Sequence, residues 1–172
     1  PELPPSQTPG ALLNQVTPDY SSTLRLRLER GRLLNASDSA SSLKVVVINA
    51  TLAARYFAGR DAIGQRLRLG RESTDLWTVV GILGDVKNFE MIDRADPEIY
   101  VPFSQRPNRR MMVAIRTTGD PETLAGTVRA AVRAIDPAEP VSRIFTMASL
   151  IRLVTGPFET TAAFVAGFGA IT

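Results

Sequence analysis

A chain of 172 residues that is 44% hydrophobic and carries a net charge of +3 can bury the core of one globular domain or of two small lobes, which excludes a disordered class. It has no cysteine and no histidine, which excludes disulfide staples, thiolate and imidazole metal ligands, a cysteine nucleophile and a Ser-His-Asp triad. Only Lys44 and Lys87 are lysines, so arginine supplies nearly all of the mild positive excess.

In chain order, Pro1 to Gly10 reads as a loop or as the cut start of a longer chain, with any targeting sequence left upstream. Thr17 followed by Pro18 predicts an N-cap and the first position of a short helix ending near Leu24. The run Leu24-Arg25-Leu26-Arg27-Leu28 alternates with period two, the pattern of a half-buried strand. Gly31 and then residues 35–42 (NASDSASS) predict a polar loop. Val45 to Ile48 predicts a buried strand. Asn49 can cap the helix that follows, with Leu52, Ala53, Tyr56 and Phe57 as its apolar stripe. Residues 59–64 form a turn-rich link, and Gln65 to Leu69 alternates again. Trp77 to Leu83 predicts another apolar strand, in which Gly81 signals a bulge or a close backbone approach. Ile99 to Phe103 predicts a short strand, with Pro102 suited to an edge or a strand end.

Met111 to Thr117 predicts a strand. Asp120 then caps a helix with Pro121 at its first position and Glu122 at the positive end of the dipole. Leu124, Val128, Ala131, Val132 and Ile135 fall on one face, and Asp136 before Pro137 stops the helix. Val141 to Phe145 predicts a return strand, completing a β-α-β unit with a right-handed crossover. A new helix begins near Thr146 and is interrupted at Gly156-Pro157. Thr160 to Thr172 carries no charge but is shorter than the roughly 20 residues that cross a bilayer. It fits either a buried core helix or the first half of a membrane helix.

The predicted class is α+β with two lobes. Residues 1–15 form a loop or cut start, 16–104 a strand-rich mixed lobe, 105–146 a β-α-β lobe, and 147–172 a connecting helix with the start of a truncated membrane helix. Two strands and a helix make a thin sheet. The second lobe therefore calls for a partner, whether chain upstream, the segment near Leu12 to Val16, or another subunit.

The chain holds neither G-x-x-x-x-G-K-[ST] nor G-x-G-x-x-G, so it predicts no nucleotide cradle, and it lacks the D-x-D-x-D-G calcium pattern; no cofactor and no metal are expected. Asp85, Glu90, Asp93, Asp96 and Glu98 cluster in sequence. Paired acids of this kind can serve as general acid and base in glycoside hydrolysis or hold Mg²⁺ or Ca²⁺, or they can form a solvated acidic loop beside Arg94. Arg25, Arg27, Arg30 and Arg32, then Arg66, Arg68 and Arg71, and then Arg106, Arg109 and Arg110 form basic groups without interleaved aromatics. That pattern speaks for a solvated face or an anionic-surface module and against nucleic acid. Asn35-Ala36-Ser37 and Asn49-Ala50-Thr51 match the N-glycosylation acceptor pattern, although Asn49 is better explained as a helix cap.

The central stretch VVVINATLAARYFAGRDAIGQRLRLG resembles the signature of the MacB-like periplasmic core domain of bacterial ABC transporter permeases, the MacB/FtsX-like family. The positions that carry the resemblance are Asn49, Arg55, Tyr56, Phe57, Asp61, Ile63, Gly64 and Arg66. They are followed by Val80, Gly81, Gly84, Asp85 and Val86, and by Pro97, Tyr100 and Pro102. Val16 to Tyr20 and Gly31-Arg32 match the family's entry, and Arg116 to Pro137 the helix of its second lobe. Ser21, Leu34, Ala58, Ala62 and Gln65 depart from the usual pattern.

The resemblance implies a non-enzymatic extracytoplasmic domain lying between the first two membrane helices of a permease in the bacterial inner membrane. It makes the uncharged tail the start of a membrane helix and the β-α-β lobe half of a split subdomain. It further implies a cytoplasmic ABC ATPase, a second permease subunit, a periplasmic adaptor or carrier, and movement of this domain driven by ATP hydrolysis. Gly156 and Pro157 would lie in the link to the membrane. The competing readings from the residues alone are a soluble hydrolase using the carboxylates between Asp85 and Glu98, and an anionic-surface binding module.

Overall fold

The structure, a computed structural model, describes residues 10–70, 73–86, 95–141 and 143–153. The chain divides into two compact units, Pro1–Ile115 and Arg116–Thr172.

The first unit is built on a mixed sheet. Its strands are β1 (Leu12–Val16), β2 (Leu28–Gly31), β3 (Val45–Asn49), β4 (Arg66–Leu67), β5 (Trp77–Leu83) and β6 (Glu98–Pro102). They run in the order β1-β6-β3-β5-β2, with β4 also paired to β5. The pairs β1–β6 and β3–β5 are parallel, and the others are antiparallel. Among the described residues of this unit two short helices accompany the sheet, α1 (Tyr20–Leu24) and α2 (Ala50–Tyr56).

The continuous apolar run of β3 follows from its central place. Every one of its residues is buried. Val46 and Ile48 pack on one face with Trp77, Val79, Ile82, Val101 and Leu52 of α2. Val45 and Val47 pack on the other with Val16, Leu34, Leu83 and Tyr100, closed over by Tyr20 and Leu26. Each such side chain contributes about 1.5–3 kcal/mol when fully buried, so this strand anchors both layers of the core.

β5 does not alternate cleanly, and Gly81 is the reason. The register steps from Val46↔Val79 to Val47↔Gly81, leaving Val80 as an extra residue. After this bulge the faces exchange, so that Val79 and Ile82 share one cluster while Val80 and Leu83 pack on the other. A Cβ on Gly81 would lie 2.1 Å from the Arg32 carbonyl oxygen, so the close approach expected from the sequence is present.

Several boundaries differ from the sequence pattern. Leu24 to Leu28 is not a strand. α1 ends at Leu24, and Arg25 closes it in the left-handed region (φ 56°), donating its N–H to the Ser21 and Ser22 carbonyls. The leucines of that run still point inward, with Leu26 and Leu28 on the second cluster, which explains the period-two signal. Asp19, not Thr17, stands at the N-cap of α1, and no side chain caps it. Gly31 ends β2, and β4 shrinks to two residues.

In the second unit a 3-10 turn (Pro121–Leu124) leads into α3 (Ala125–Ile135). The Asp120 carboxylate accepts the Glu122 N–H at 2.9 Å, and the helix stops at Asp136, both as expected. Thr146 caps a helix over 147–153, its Oγ1 accepting the Ser149 N–H at 3.1 Å. The strands expected over 111–117 and 141–145 are irregular, with residue 142 outside the described set. A strand exists only where a neighbour takes its ladder hydrogen bonds, and no described strand pairs with either segment. Gly156, Pro157 and the uncharged run from Thr160 also lie outside the described residues. Among the described residues no helix is long and apolar enough to cross a membrane.

Candidate functional site

The sequence motif gathers around Asn49, where β3 turns into α2. Asn49 is wholly buried, and both polar atoms of its amide are bonded. Its Oδ1 accepts the Leu52 N–H at 3.0 Å and the Glu98 N–H at 2.9 Å. Its Nδ2 donates to the Asp96 carbonyl at 2.8 Å. One side chain thereby caps a helix, begins the β6 strand and fixes the segment before it. A residue this occupied is no glycan acceptor in the folded chain. At Asn35, the other acceptor match, the amide oxygen takes the Ser37 N–H at 2.9 Å in a local turn.

Asp85 follows β5 and reaches across to the first turn of α2. Its carboxylate accepts the Thr51 N–H at 2.9 Å and the Thr51 hydroxyl at 2.8 Å. Glu98 is 2% exposed and accepts from the Tyr100 hydroxyl and from Asn14 Nδ2 at 3.4 Å. Burial, and then the Glu98 carboxylate, push the Tyr100 hydroxyl well above the ordinary tyrosine range. Tyr20, whose ring centre lies 5.9 Å from that of Tyr100, is raised for the same two reasons. The acids of the predicted cluster thus divide. Asp85 and Glu98 hold the fold together, Asp96 contributes a backbone carbonyl, and Glu90 and Asp93 lie outside the described residues. Among the described residues no group of three acids is placed to hold a metal.

The remaining motif residues serve packing and turns. Pro97 is buried, and its carbonyl takes the Leu12 N–H at 2.8 Å. Tyr56, Phe57 and Ile63 pack against the first cluster. Asp61 accepts the Ile63 N–H at 3.0 Å and an ion pair from Arg30 at 2.7 Å, which together hold its carboxyl below the usual range. That pair is more than half exposed on both sides and adds little stability. Gly64 takes a left-handed turn (φ 80°) and donates its N–H to Val79 at 2.8 Å. Gly84 donates to the Arg27 carbonyl at 2.8 Å. The Pro102 carbonyl accepts from Gln105 and Arg106. Arg55 sits exposed in the last turn of α2, where a cation suits the helix dipole, and Arg66 is exposed on β4.

A second polar cluster lies at the opposite end of the sheet and was not legible as a unit. Asp38 is 4% exposed and takes both arms of the Arg32 guanidinium at 2.8 Å. The Arg32 hydrogen bond holds the Asp38 carboxyl below the ordinary range against the opposing pull of burial. Gln105 accepts the Val45 N–H at 3.0 Å and donates to the Ser39 and Leu43 carbonyls, at 3.0 and 2.9 Å. These bonds stitch the Ser-rich loop to the ends of β3 and β6. Beside it runs a small apolar cleft of about 220 Å³, lined by Val16, Pro18, Leu34 and Phe103 among others. The Asx-turn spacing from Asn35 to Asp38 gave a hint of the loop, whereas nothing in the sequence marks Gln105.

Residues 4–134 match the family model described as the MacB-like periplasmic core domain. Among solved structures, the periplasmic region of MacB from Actinobacillus actinomycetemcomitans superposes with a TM-score of 0.53 at 18% identity, covering 72% of this chain and 56% of that one. The extracellular domain of the noncanonic ABC-type transporter YknZ from Gram-positive bacteria gives a TM-score of 0.42 at 23% identity, over 53% of this chain and 42% of that one. This chain therefore spans little more than half the length of the MacB region it resembles. No curated protein matches it in sequence.

Proposed function

The chain belongs to the MacB-like periplasmic core domain family, and on that premise we propose that it works as a mechanical part on the extracytoplasmic side of an ABC transporter permease in a bacterial cell membrane. The family match over residues 4–134 carries this reading. ATP hydrolysis takes place on a separate cytoplasmic ATPase. Its closure shifts the membrane helices of the permease and of a second permease subunit, and those helices move this domain to drive export or act on a periplasmic adaptor or carrier.

The use of polar residues supports a mechanical role. Asn49, Asp85 and Glu98 spend their side chains on tying β3, β5, β6 and α2 together. A part that transmits force needs this kind of internal stiffness. The second unit has the opposite character. α3 has no buried residue, and Met112, Val113 and Ile115, just before the unit, are 95%, 71% and 54% exposed. Such apolar surface suits half of a split subdomain, completed by chain upstream in the full-length protein. The segment after Thr146 forms the link to the membrane.

Gly156 and Pro157 are the proposed coupling point. Replacing both by alanine in the intact permease exchanges two poor helix formers for a good one and is expected to reduce ATP-driven transport severalfold while leaving the denaturation midpoint unchanged. Transport at the parental rate in that variant would contradict the proposed link.

A further inference from the structure

The two edges of the sheet are built differently. β2 carries Glu29 and Arg30 and a register break between Leu28 and Arg30. Charges and irregular pairing are the devices that keep an edge from joining another strand. β1, at the other edge, reads Leu-Leu-Asn-Gln-Val, with no charge, no proline and a regular five-residue register against β6. Its backbone polarity is settled by that register. The Leu12 N–H bonds to Pro97, and the Val16 carbonyl accepts from Phe103. In a parallel ladder the even-numbered residues 12, 14 and 16 thus face β6, so the N–H and C=O groups of Leu13 and Gln15 face outward. Among the described residues no further strand pairs with them.

We propose that β1 is a contact between two copies of this chain, paired antiparallel across a two-fold axis at Asn14. The strand is self-complementary in this arrangement. Leu13 of one copy exchanges two backbone hydrogen bonds with Gln15 of the other, and the symmetric pair makes two more. Leu12, 47% exposed in one copy, lies opposite Val16 of the second, which is already packed in its own core, so the pairing gives cover to Leu12 alone. Asn14 faces its own equivalent, and no like charges are brought together. Four hydrogen bonds over five residues form a small contact. Its strength therefore comes from holding both copies in one membrane assembly, where effective concentration is high. In this respect the inference rests on the permease reading above.

This chain contains no cysteine, so in a permease whose other segments are also kept free of cysteine an introduced thiol has only its symmetry mate to pair with. Residues facing each other in a non-hydrogen-bonded antiparallel pair have Cα atoms about 4.5 Å apart, within the range a disulfide spans. Asn14→Cys in the intact membrane protein is expected to cross-link into a dimer on mild oxidation, whereas Glu29→Cys on β2 is not. Adding Gln15→Pro removes an outward N–H without touching the β6 ladder and is expected to cut the Asn14→Cys cross-link at least severalfold. Absence of the Asn14→Cys dimer, an equal yield from Glu29→Cys, or indifference to Gln15→Pro would each overturn the contact. Co-purification of two differently tagged copies separates the causes of failure. If the copies co-purify without a β1 cross-link, this contact is wrong and the permease reading stands. If they do not co-purify, this contact falls, and the permease reading stands only with a second subunit of different sequence.

Discussion

Replacing Asn49 by alanine is expected to destabilise the sheet unit by roughly 3–5 kcal/mol, the largest effect of any single polar substitution in it. Three backbone groups lose their partner at once. The Leu52 N–H loses a helix cap, which alone is worth about 1 kcal/mol. The Glu98 N–H is left as a buried orphan, which costs about 1–3 kcal/mol, and the Asp96 carbonyl, on an exposed residue, loses a hydrogen bond worth about 1 kcal/mol. Asn49→Asp is expected to be nearly as damaging. It keeps both acceptor contacts, but it loses the donor to Asp96 and places a carboxylate where no water reaches. Arg55→Ala, in the same motif but exposed, is expected to change stability by no more than about 0.5 kcal/mol. Urea titration followed by the emission of Trp77 reads all three. It is the only tryptophan and is 2% exposed, so its emission shifts to the red on unfolding. Equal stability of Asn49→Ala and Arg55→Ala would show that the motif does not hold the fold in this way.

The second large effect is expected at the crossing of β2 and β5. A Cβ on Gly81 meets the Arg32 carbonyl oxygen at 2.1 Å, and a Cβ on Gly31 meets the Val80 carbonyl oxygen at 2.3 Å with φ at +73°. Both obstacles are backbone and cannot rotate away. Gly81→Ala must therefore spread the two strands at the bulge, at a cost of about 2–4 kcal/mol. Gly64→Ala provides the comparison. Its φ of +80° disfavours any side chain, but nothing lies within 4 Å, so only the backbone cost of about 1–2 kcal/mol remains. Thermal unfolding of the two variants should separate them, with Gly81→Ala melting lower. The reverse order would mean that β2 gives way easily and that the close crossing is not a constraint.

The central layer of the first unit was legible because its signals are local and mutually consistent. Val45 to Ile48 is an unbroken apolar run, Asn49 stands immediately before a helical stripe, and Gly81 marks the bulge in the otherwise apolar stretch of β5. Asp120 and Pro121 marked the start of the later helix for the same reason. What stayed hidden depends on partners distant in sequence. The burial of Glu98 rests on Tyr100 and on Asn14, a residue 84 positions away, so in the sequence it was one more acid in a charged stretch. Gln105 reaches the loop before β3 from about 60 residues downstream and carries no pattern of its own. Arg25 ended a helix by adopting a left-handed conformation that arginine seldom takes, which the alternation of its neighbours masked. Met111 to Thr117 has the composition of a strand, but composition supplies one half of a ladder and no neighbour to complete it.

The family relationship supports the proposed place of this domain on the outer side of a membrane. The most direct test of that placement uses a single cysteine, introduced into this cysteine-free domain in a permease kept free of other cysteines. Leu43, in the loop before β3, is 67% exposed, which makes it a suitable site. Leu43→Cys in the intact permease, treated in whole cells with a thiol reagent that reaches the periplasm but does not cross the inner membrane, is expected to be labelled as fully as in lysed cells. Labelling that appears only after lysis would place the domain in the cytoplasm and contradict the account.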